Sequence, residues 1–290
     1  MTSPYVVCVG LATRDTIAAV PRHPEPEDRV EATEIALAGG GPAATAAVTL
    51  ARLGVEVALV GSIGDDPVGA EIRAGLERER VDVSCLRVVP GVRSPESLIL
   101  VGDGTRAIVH DPRTPPVALD ARADELCRGA AWVHADHTGY SAARGLRDVR
   151  LSIDAGIPLA DLDLSGVALY APTEAALAEA FPGGARDALA AGAELVVATR
   201  GAEGSAAWTQ AQEVVAEAYR GDVEIVSTLG AGDVFHGALL AGLVRDLPLG
   251  EALARANACA ALSCRALDGR SAIPTLDELE DSLAWATASR

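Results

Sequence analysis

The chain has 290 residues, 24 of them basic and 41 acidic, for a formal charge of −17, and 49% of it is apolar. That length and apolar content suit one large α/β domain. The acidic balance works against binding a phosphate backbone, so no nucleic-acid partner is expected. No apolar stretch is long enough to cross a bilayer, and the N-terminus lacks a basic n-region, with the first apolar run meeting Arg14-Asp15 at once; neither a leader nor a membrane is expected. The chain has no lysine, which removes Schiff-base chemistry, a Walker A loop and a protein-kinase site. Its five cysteines are scattered, with no C-x-x-C pair. That dispersal predicts reduced thiols, a cytoplasmic location and no zinc centre.

In chain order, residues 5–12 form an apolar run with the character of a buried parallel strand. Residues 29–38 follow a Pro/Glu-rich entry and predict an exposed strand. An alanine-rich helix is expected over 43–53, ended by Gly54, then a strand over 55–61 and an amphipathic helix over 68–80. Residues 97–101 and 105–110, joined by Gly102-Asp103-Gly104, predict a β-hairpin. Further strands are expected at 131–135, 157–162, 167–170, 195–199 and 223–226. Further helices are expected at 142–155, 185–191, 231–245, 249–265 and 276–288. Strands alternating with helices predict an α/β, doubly wound, mostly parallel sheet. The 29–38 strand and the hairpin fall outside βαβ units. They predict a small β-sheet lid built from segments about 14–38 and 93–113 of a single domain spanning 1–290.

The most specific string is Ser227-Thr228-Leu229-Gly230-Ala231-Gly232-Asp233-Val234-Phe235-His236-Gly237. A small-residue turn opens a helix there, so the amides of Gly230, Ala231 and Gly232 converge at a positive helix end that suits an anion. Asp233 beside them can accept a proton from an attacking hydroxyl. Taken bare, G-x-G-D is an ordinary tight turn with a first-turn acid. A second string, Gly39-Gly40-Gly41-Pro42-Ala43-Ala44-Thr45, lets the backbone approach a ligand just before a helix. Asp15 follows the first strand at its carboxyl end, where open α/β sheets place ligands.

The first string resembles the D-T-x-G-A-G-D signature of the PfkB, or ribokinase-like, carbohydrate kinases, and the second resembles that family's sugar-gripping loop. In spelling, both look most like the branch holding sulfofructose kinase, with ketohexokinase more distant. The resemblance implies a ribokinase-like fold and an ATP- and Mg²⁺-dependent kinase acting on a sugar hydroxyl. It places the catalytic base on Asp233 and the anion hole on Gly230, Ala231 and Gly232. Sugar contacts fall on Asp15, Gly39, Gly40, Gly41 and Thr45. Ser227 stands where the family usually has Asp, which leaves monovalent-cation activation open, and Thr45 stands where Asn is common. Val197-Ala198-Thr199-Arg200-Gly201-Ala202-Glu203-Gly204 resembles the loop beside the ATP phosphates and ribose, which implies nucleotide contacts at Thr199, Gly201 and Gly204. Asn257, the only asparagine, resembles a helix position near the adenine. In Ala171-Pro172-Thr173-Glu174 only Glu174 survives of the family's N-x-x-E motif, tied to Mg²⁺.

Arg29, His110 and His137 lie on segments expected to face the sugar and could read an anionic or strongly polar end of it. Arg113, nearby, is expected to be a solvated lid cation. Two alternatives stay open: a nucleoside kinase of the same fold, which the scarcity of aromatics lowers, and a catalytically idle sugar sensor. A homodimer through an apolar lid face is a further expectation of the resemblance.

Overall fold

The computed structural model describes residues 5–111 and 113–288. Residues 1–4, on which part of the leader reading falls, and Pro112, within the expected lid segment, lie outside the described residues.

Nine strands make the central sheet: β1 (Tyr5–Val9), β4 (Glu56–Gly64), β5 (Leu86–Val89), β8 (Trp132–Ala135), β9 (Leu151–Ala155), β10 (Val167–Pro172), β11 (Val196–Thr199), β12 (Ser205–Trp208) and β13 (Glu213–Ala216). Their order is β13-β12-β11-β10-β9-β8-β1-β4-β5. Every pairing from β5 to β11 is parallel, and β12 and β13 close one edge antiparallel. The parallel strands are apolar on both faces because helices cover both. On β1, Val6 and Cys8 face one core with α1 (Pro42–Arg52), α2 (Pro67–Arg78), α7 (Ala231–Leu243), α8 (Leu249–Ser263) and α9 (Leu276–Ala288). Val7 and Val9 face the other, with α3 (Ala121–Gly129), α4 (Tyr140–Ala143), α5 (Glu174–Ala180) and α6 (Ala185–Ala190). That two-sided alternation makes the sheet doubly wound, as the sequence predicts. Among the described residues, no helix is long and apolar enough to cross a membrane.

A second sheet of four strands projects from this body: β2 (Thr13–Ala19), β3 (Glu34–Gly40), β6 (Glu96–Gly102) and β7 (Thr105–His110), in the order β3-β2-β6-β7. Its inner face buries Ile17 and Ile99 against Leu229 and Leu267 of the main body. The sheet therefore lies over the start of α7. The expected lid segments supply all four strands.

Several sequence expectations differ from the fold. The helix expected over 142–155 is the single turn α4 followed by β9, which is buried throughout between β8 and β10. Its alternating small and apolar residues fit a two-sided burial that a helix-period reading masks. Residues 157–162 form no strand, and Ile157 is instead 49% exposed. Residues 223–226 run as irregular chain, with Ile225 and Val226 exposed and the Val226 amide donating to Cys264 O at 2.8 Å. The strand expected from residue 29 begins at Glu34. Strands β2, β5, β12 and β13 and helices α3 and α5 were not predicted; all are short or polar.

Candidate active site

The carboxyl ends of the central strands, the start of α7 and the inner face of the lid enclose a cleft of about 360 Å³. Asp15, Gly39, Gly40, Gly41, Thr45, His110, His137, Gly230 and Asp233 all line it. These residues come from five separate stretches of chain, and the fold brings them to one place. The larger depression, of about 780 Å³, lies beside α5, α6 and the β12–β13 turn and shares only Glu174 with the predicted set.

Gly230 caps α7 in the left-handed conformation, φ 73° and ψ −1°. A side chain there would be strained by that φ and would meet Gly269 Cα at 3.0 Å. Of the predicted anion loop, Gly230 lines the cleft, whereas Ala231 and Gly232 are not among its described lining residues. Ala231 N–H is held in the turn by Thr228 O at 3.3 Å. Gly232 and Asp233 also stand among the first residues of α7, whose N–H groups have no intrahelical acceptor.

Asp233 reaches the cleft floor, and its protein surroundings set its charge. Burial raises its carboxyl to about 8, helped by the negative charge of Asp154, while His236 and Arg270 act in the opposite sense. Position in the first helical turn favours the anion, but desolvation outweighs it. A carboxyl group so placed is largely protonated at neutral pH, and its ionised form is a strong proton acceptor.

Asp15 sits on β2, 7% exposed, and accepts from Thr13 Oγ1 at 2.7 Å. Burial raises its pKa, partly offset by the Thr13 hydrogen bond and by Arg270. Gly40 is required beside it, because a Cβ there would overlap Asp15 Oδ2. Arg270 was missed at the level of sequence. Its Nε donates to Thr45 Oγ1 at 3.1 Å and its Nη2 donates to Gly40 O. Burial lowers its pKa to about 10, and Asp15 and Asp233 pull the other way. The Thr45 hydroxyl is therefore already an acceptor for Arg270. The sequence offered one signal for this: an arginine directly after a Gly-rich turn, in a chain where Arg is the only long cation.

Asp136, also missed, holds the cleft together. Its Oδ2 accepts from Leu11 N at 2.8 Å and Ala43 N at 3.2 Å. Its Oδ1 accepts from Thr138 N and Thr138 Oγ1, both at 2.8 Å, and from Gly139 N at 2.9 Å. The carboxylate thus ties the β1 exit, the start of α1 and the His137 loop together.

Some predicted residues fall elsewhere. Arg29 is exposed on the loop before β3 and does not line the cleft, because the strand begins five residues later. Arg113 pairs with Asp111 at 2.8 Å, on the surface. Thr199 ends β11, and Gly201 and Gly204 shape the turn that follows. Asn257 is 8% exposed, and its Nδ2 donates to Ala216 O at 3.2 Å and Glu217 O at 3.0 Å. Those bonds commit its amide to the backbone beyond β13, so it can support a nucleotide only through that chain. Glu174 follows the Thr173 cap of α5 and lies 3.6 Å from Arg200 Nε, with a side chain 63% exposed. It does not reach the cleft. Ser227 Oγ accepts from Leu229 N at 3.2 Å and holds the turn before the anion loop.

A glycine-capped helix start with a buried carboxyl group beside it, on a cleft under a second sheet, is an arrangement that suits phosphoryl transfer to an alcohol. Comparison with known proteins agrees. The sequence matches the pfkB family carbohydrate kinase over residues 3–126 and 171–276. It is 31% identical to the ATP-dependent ribose-1-phosphate kinase of Halopiger xanaduensis, over 94% of this chain and 95% of that one. It is 26% identical to the ribokinase of Bacillus subtilis, over 96% and 99%. Arabidopsis thaliana ribokinase, solved with ribose and ATP, superposes with a TM-score of 0.83 at 22% identity, covering 98% of this chain and 99% of that one. The chain belongs to the pfkB family and has the ribokinase-like fold. It is a sugar or nucleoside kinase of that family. None of these three relatives carries the sulfofructose or ketohexose name that the motif spelling resembles.

Proposed function

We propose that the protein transfers the γ-phosphoryl group of ATP to a hydroxyl of a five- or six-carbon sugar. The observation that carries this is the convergence of Asp15, the 39–41 loop and Asp233 on one lid-covered cleft. Asp15 and the loop amides orient the acceptor, Asp233 takes the hydroxyl proton, and the α7 amides hold the charge on the transferring group. The lid excludes water, which would otherwise hydrolyse ATP. We assign the nucleotide to Thr199 at the end of β11 and the 201–204 turn that follows it, by the likeness of this stretch to the family's loop. Mg²⁺, when bound with ATP, would neutralise its phosphate charge. Glu174 does not fit as its direct ligand, because it lies off the cleft and faces Arg200.

Among the described residues the cleft lining contains no Phe, Tyr or Trp, which favours a sugar over a nucleoside base. His110 and His137 are the basic side chains among its lining, and we assign them to a polar or anionic sugar substituent. The test is ADP release across ribose, ribose 1-phosphate, fructose, a sulfosugar and adenosine. Turnover with a sugar is expected, and Asp15→Ala should raise the KM for that sugar at least tenfold, roughly the cost of one lost charge-assisted bond. Turnover with adenosine alone would overturn the sugar assignment.

The outer face of the lid carries an apolar row. Leu37, Thr16, Leu98 and Val109 are register neighbours across β3, β2, β6 and β7. Leu37 is 67%, Leu98 60% and Val109 65% exposed. A second copy of the chain fits such a band, and we assign the lid to a homodimer interface. Sedimentation equilibrium should show a dimer, and Leu98→Glu should return it to monomer. A monomeric parent protein at micromolar concentration would refute the assignment.

A further inference from the structure

Beneath the cleft floor lies a buried cluster that the proposed chemistry does not use. His236 stands three residues beyond Asp233 on α7, hence one turn along on the same face. It is 5% exposed, and its Nδ1 lies 3.1 Å from Asp154 Oδ2. Asp154, 8% exposed at the end of β9, uses its other oxygen to accept from Gly156 N at 2.9 Å. His134, fully buried on β8, shares a 3.0 Å hydrogen bond with Ser152 Oγ through Nδ1 and sits 5.8 Å, ring to ring, from His236.

A buried carboxylate without a counter-charge is costly, and so is an unpaired imidazolium. Two histidines compete here for one carboxylate, and geometry decides between them. Only His236 reaches Asp154, whereas His134 shares its Nδ1 with the neutral Ser152 hydroxyl. We propose that His236, kept as an imidazolium by Asp154, is a positioning residue for phosphoryl transfer: its fixed positive charge lies one turn behind Asp233 and favours the ionised form that receives the acceptor's proton. The inference rests on the reading of Asp233 as the base.

The surrounding charges point the same way. Burial opposes a charged His236, but Asp154 and then Asp233 offset it, and the net direction is upward. His134 is lowered to about 4, by burial first and then by the charge of His236, so it stays neutral. Asp154 is held far down despite burial, chiefly by His236. Asp233 itself faces Asp154 from β9, His236 from α7, Asp136 from the loop after β8 and Arg270 from the turn after α8. Asp154 and Asp136 raise it, and His236 and Arg270 lower it. Removing His236 takes away one of the two charges that lower Asp233, so Asp233 should then lose its charge at a higher pH.

The experiment is the pH profile of kcat/KM for His236→Gln, a neutral side chain that can still donate to Asp154. The acid limb should move up by about one unit, so that activity on that limb falls about tenfold and recovers in alkali, with the KM for ATP unchanged. A superimposable profile, or a loss uniform across pH, would overturn the proposal. Side-chain ¹⁵N spectra of the unmutated protein give a reading independent of the variant. They should show His236 with both ring nitrogens protonated at neutral pH, and a neutral ring there would overturn the proposal. One equivalent of divalent metal bound by His134, Asp154 and His236 would overturn it too, because the ion would displace that proton. An inactive Asp233→Asn beside an unshifted His236→Gln would remove this inference alone, whereas a fully active Asp233→Asn would remove the base assignment beneath it.

Discussion

Asp233→Asn should lower kcat by roughly 10²–10⁴-fold, the range over which a positioned general base acts, while the KM for ATP stays within about threefold. The amide has the shape of the carboxylate and leaves the α7 amides in place, but it cannot take the acceptor's proton. The same change should make the protein more stable. Burial raises the Asp233 carboxyl to about 8, above its ordinary value of 3.8. A group whose folded pKa is raised holds its proton more tightly in the native state, so stability falls as pH climbs between those two values. Asparagine carries no such penalty. The difference in Tm between variant and parent should widen from about pH 5 to pH 8, in favour of the variant. A site tuned for catalysis at the expense of stability shows this pairing of lost turnover and gained Tm. Measuring ADP release beside thermal melts at several pH values checks both. Undiminished turnover would remove Asp233 as base, and a Tm difference flat with pH would show that its charge is not strained.

The anion loop and Asp233 were legible because backbone geometry and chemistry are written in adjacent letters: Gly230 for a left-handed cap, then an acid in the first turn. The sugar side was legible in part. Gly40 and Asp15 lie far apart in sequence, yet each carries a local sign, a glycine before a helix start or an acid after a buried strand. Arg270 and Asp136 carry no such sign. Each works through partners more than 90 positions away, Arg270 through Thr45 and Gly40 and Asp136 through Leu11 and Ala43. A single sequence does not bring those positions together. Asn257 is the opposite case. Its isolation in the chain drew attention, but a buried carboxamide near open carbonyls is used first to satisfy them. One fold error has a related source. Residues 142–155 follow a helical local period, whereas β9 is set by the strands on either side of it. Tertiary burial there outweighs propensity.

Asp136→Asn should be the most destabilising single-atom change in the cleft. The carboxylate is fully buried and only accepts, taking hydrogen bonds from five donors through two oxygens. An amide has one accepting oxygen. If that oxygen keeps the three donors of the 138–139 turn, the new NH₂ faces the Leu11 and Ala43 amides, donor against donor. Two amides then lose their acceptor, at about 1–3 kcal/mol each. The total, about 2–6 kcal/mol, is a large share of the roughly 5–15 kcal/mol that holds a domain together. If the ring of contacts turns the other way, three donors are stranded and the cost rises. The loss has a functional side, because Leu11 and Ala43 flank the 39–41 loop and fix its distance from Asp15. The KM for the sugar should therefore rise by at least about tenfold even at temperatures where the variant remains folded. Urea unfolding of parent and variant measures the first effect, and initial rates at low temperature measure the second. A stability loss below about 1 kcal/mol would mean that water, not the carboxylate, satisfies these amides, and the cleft would then owe its shape to the lid instead.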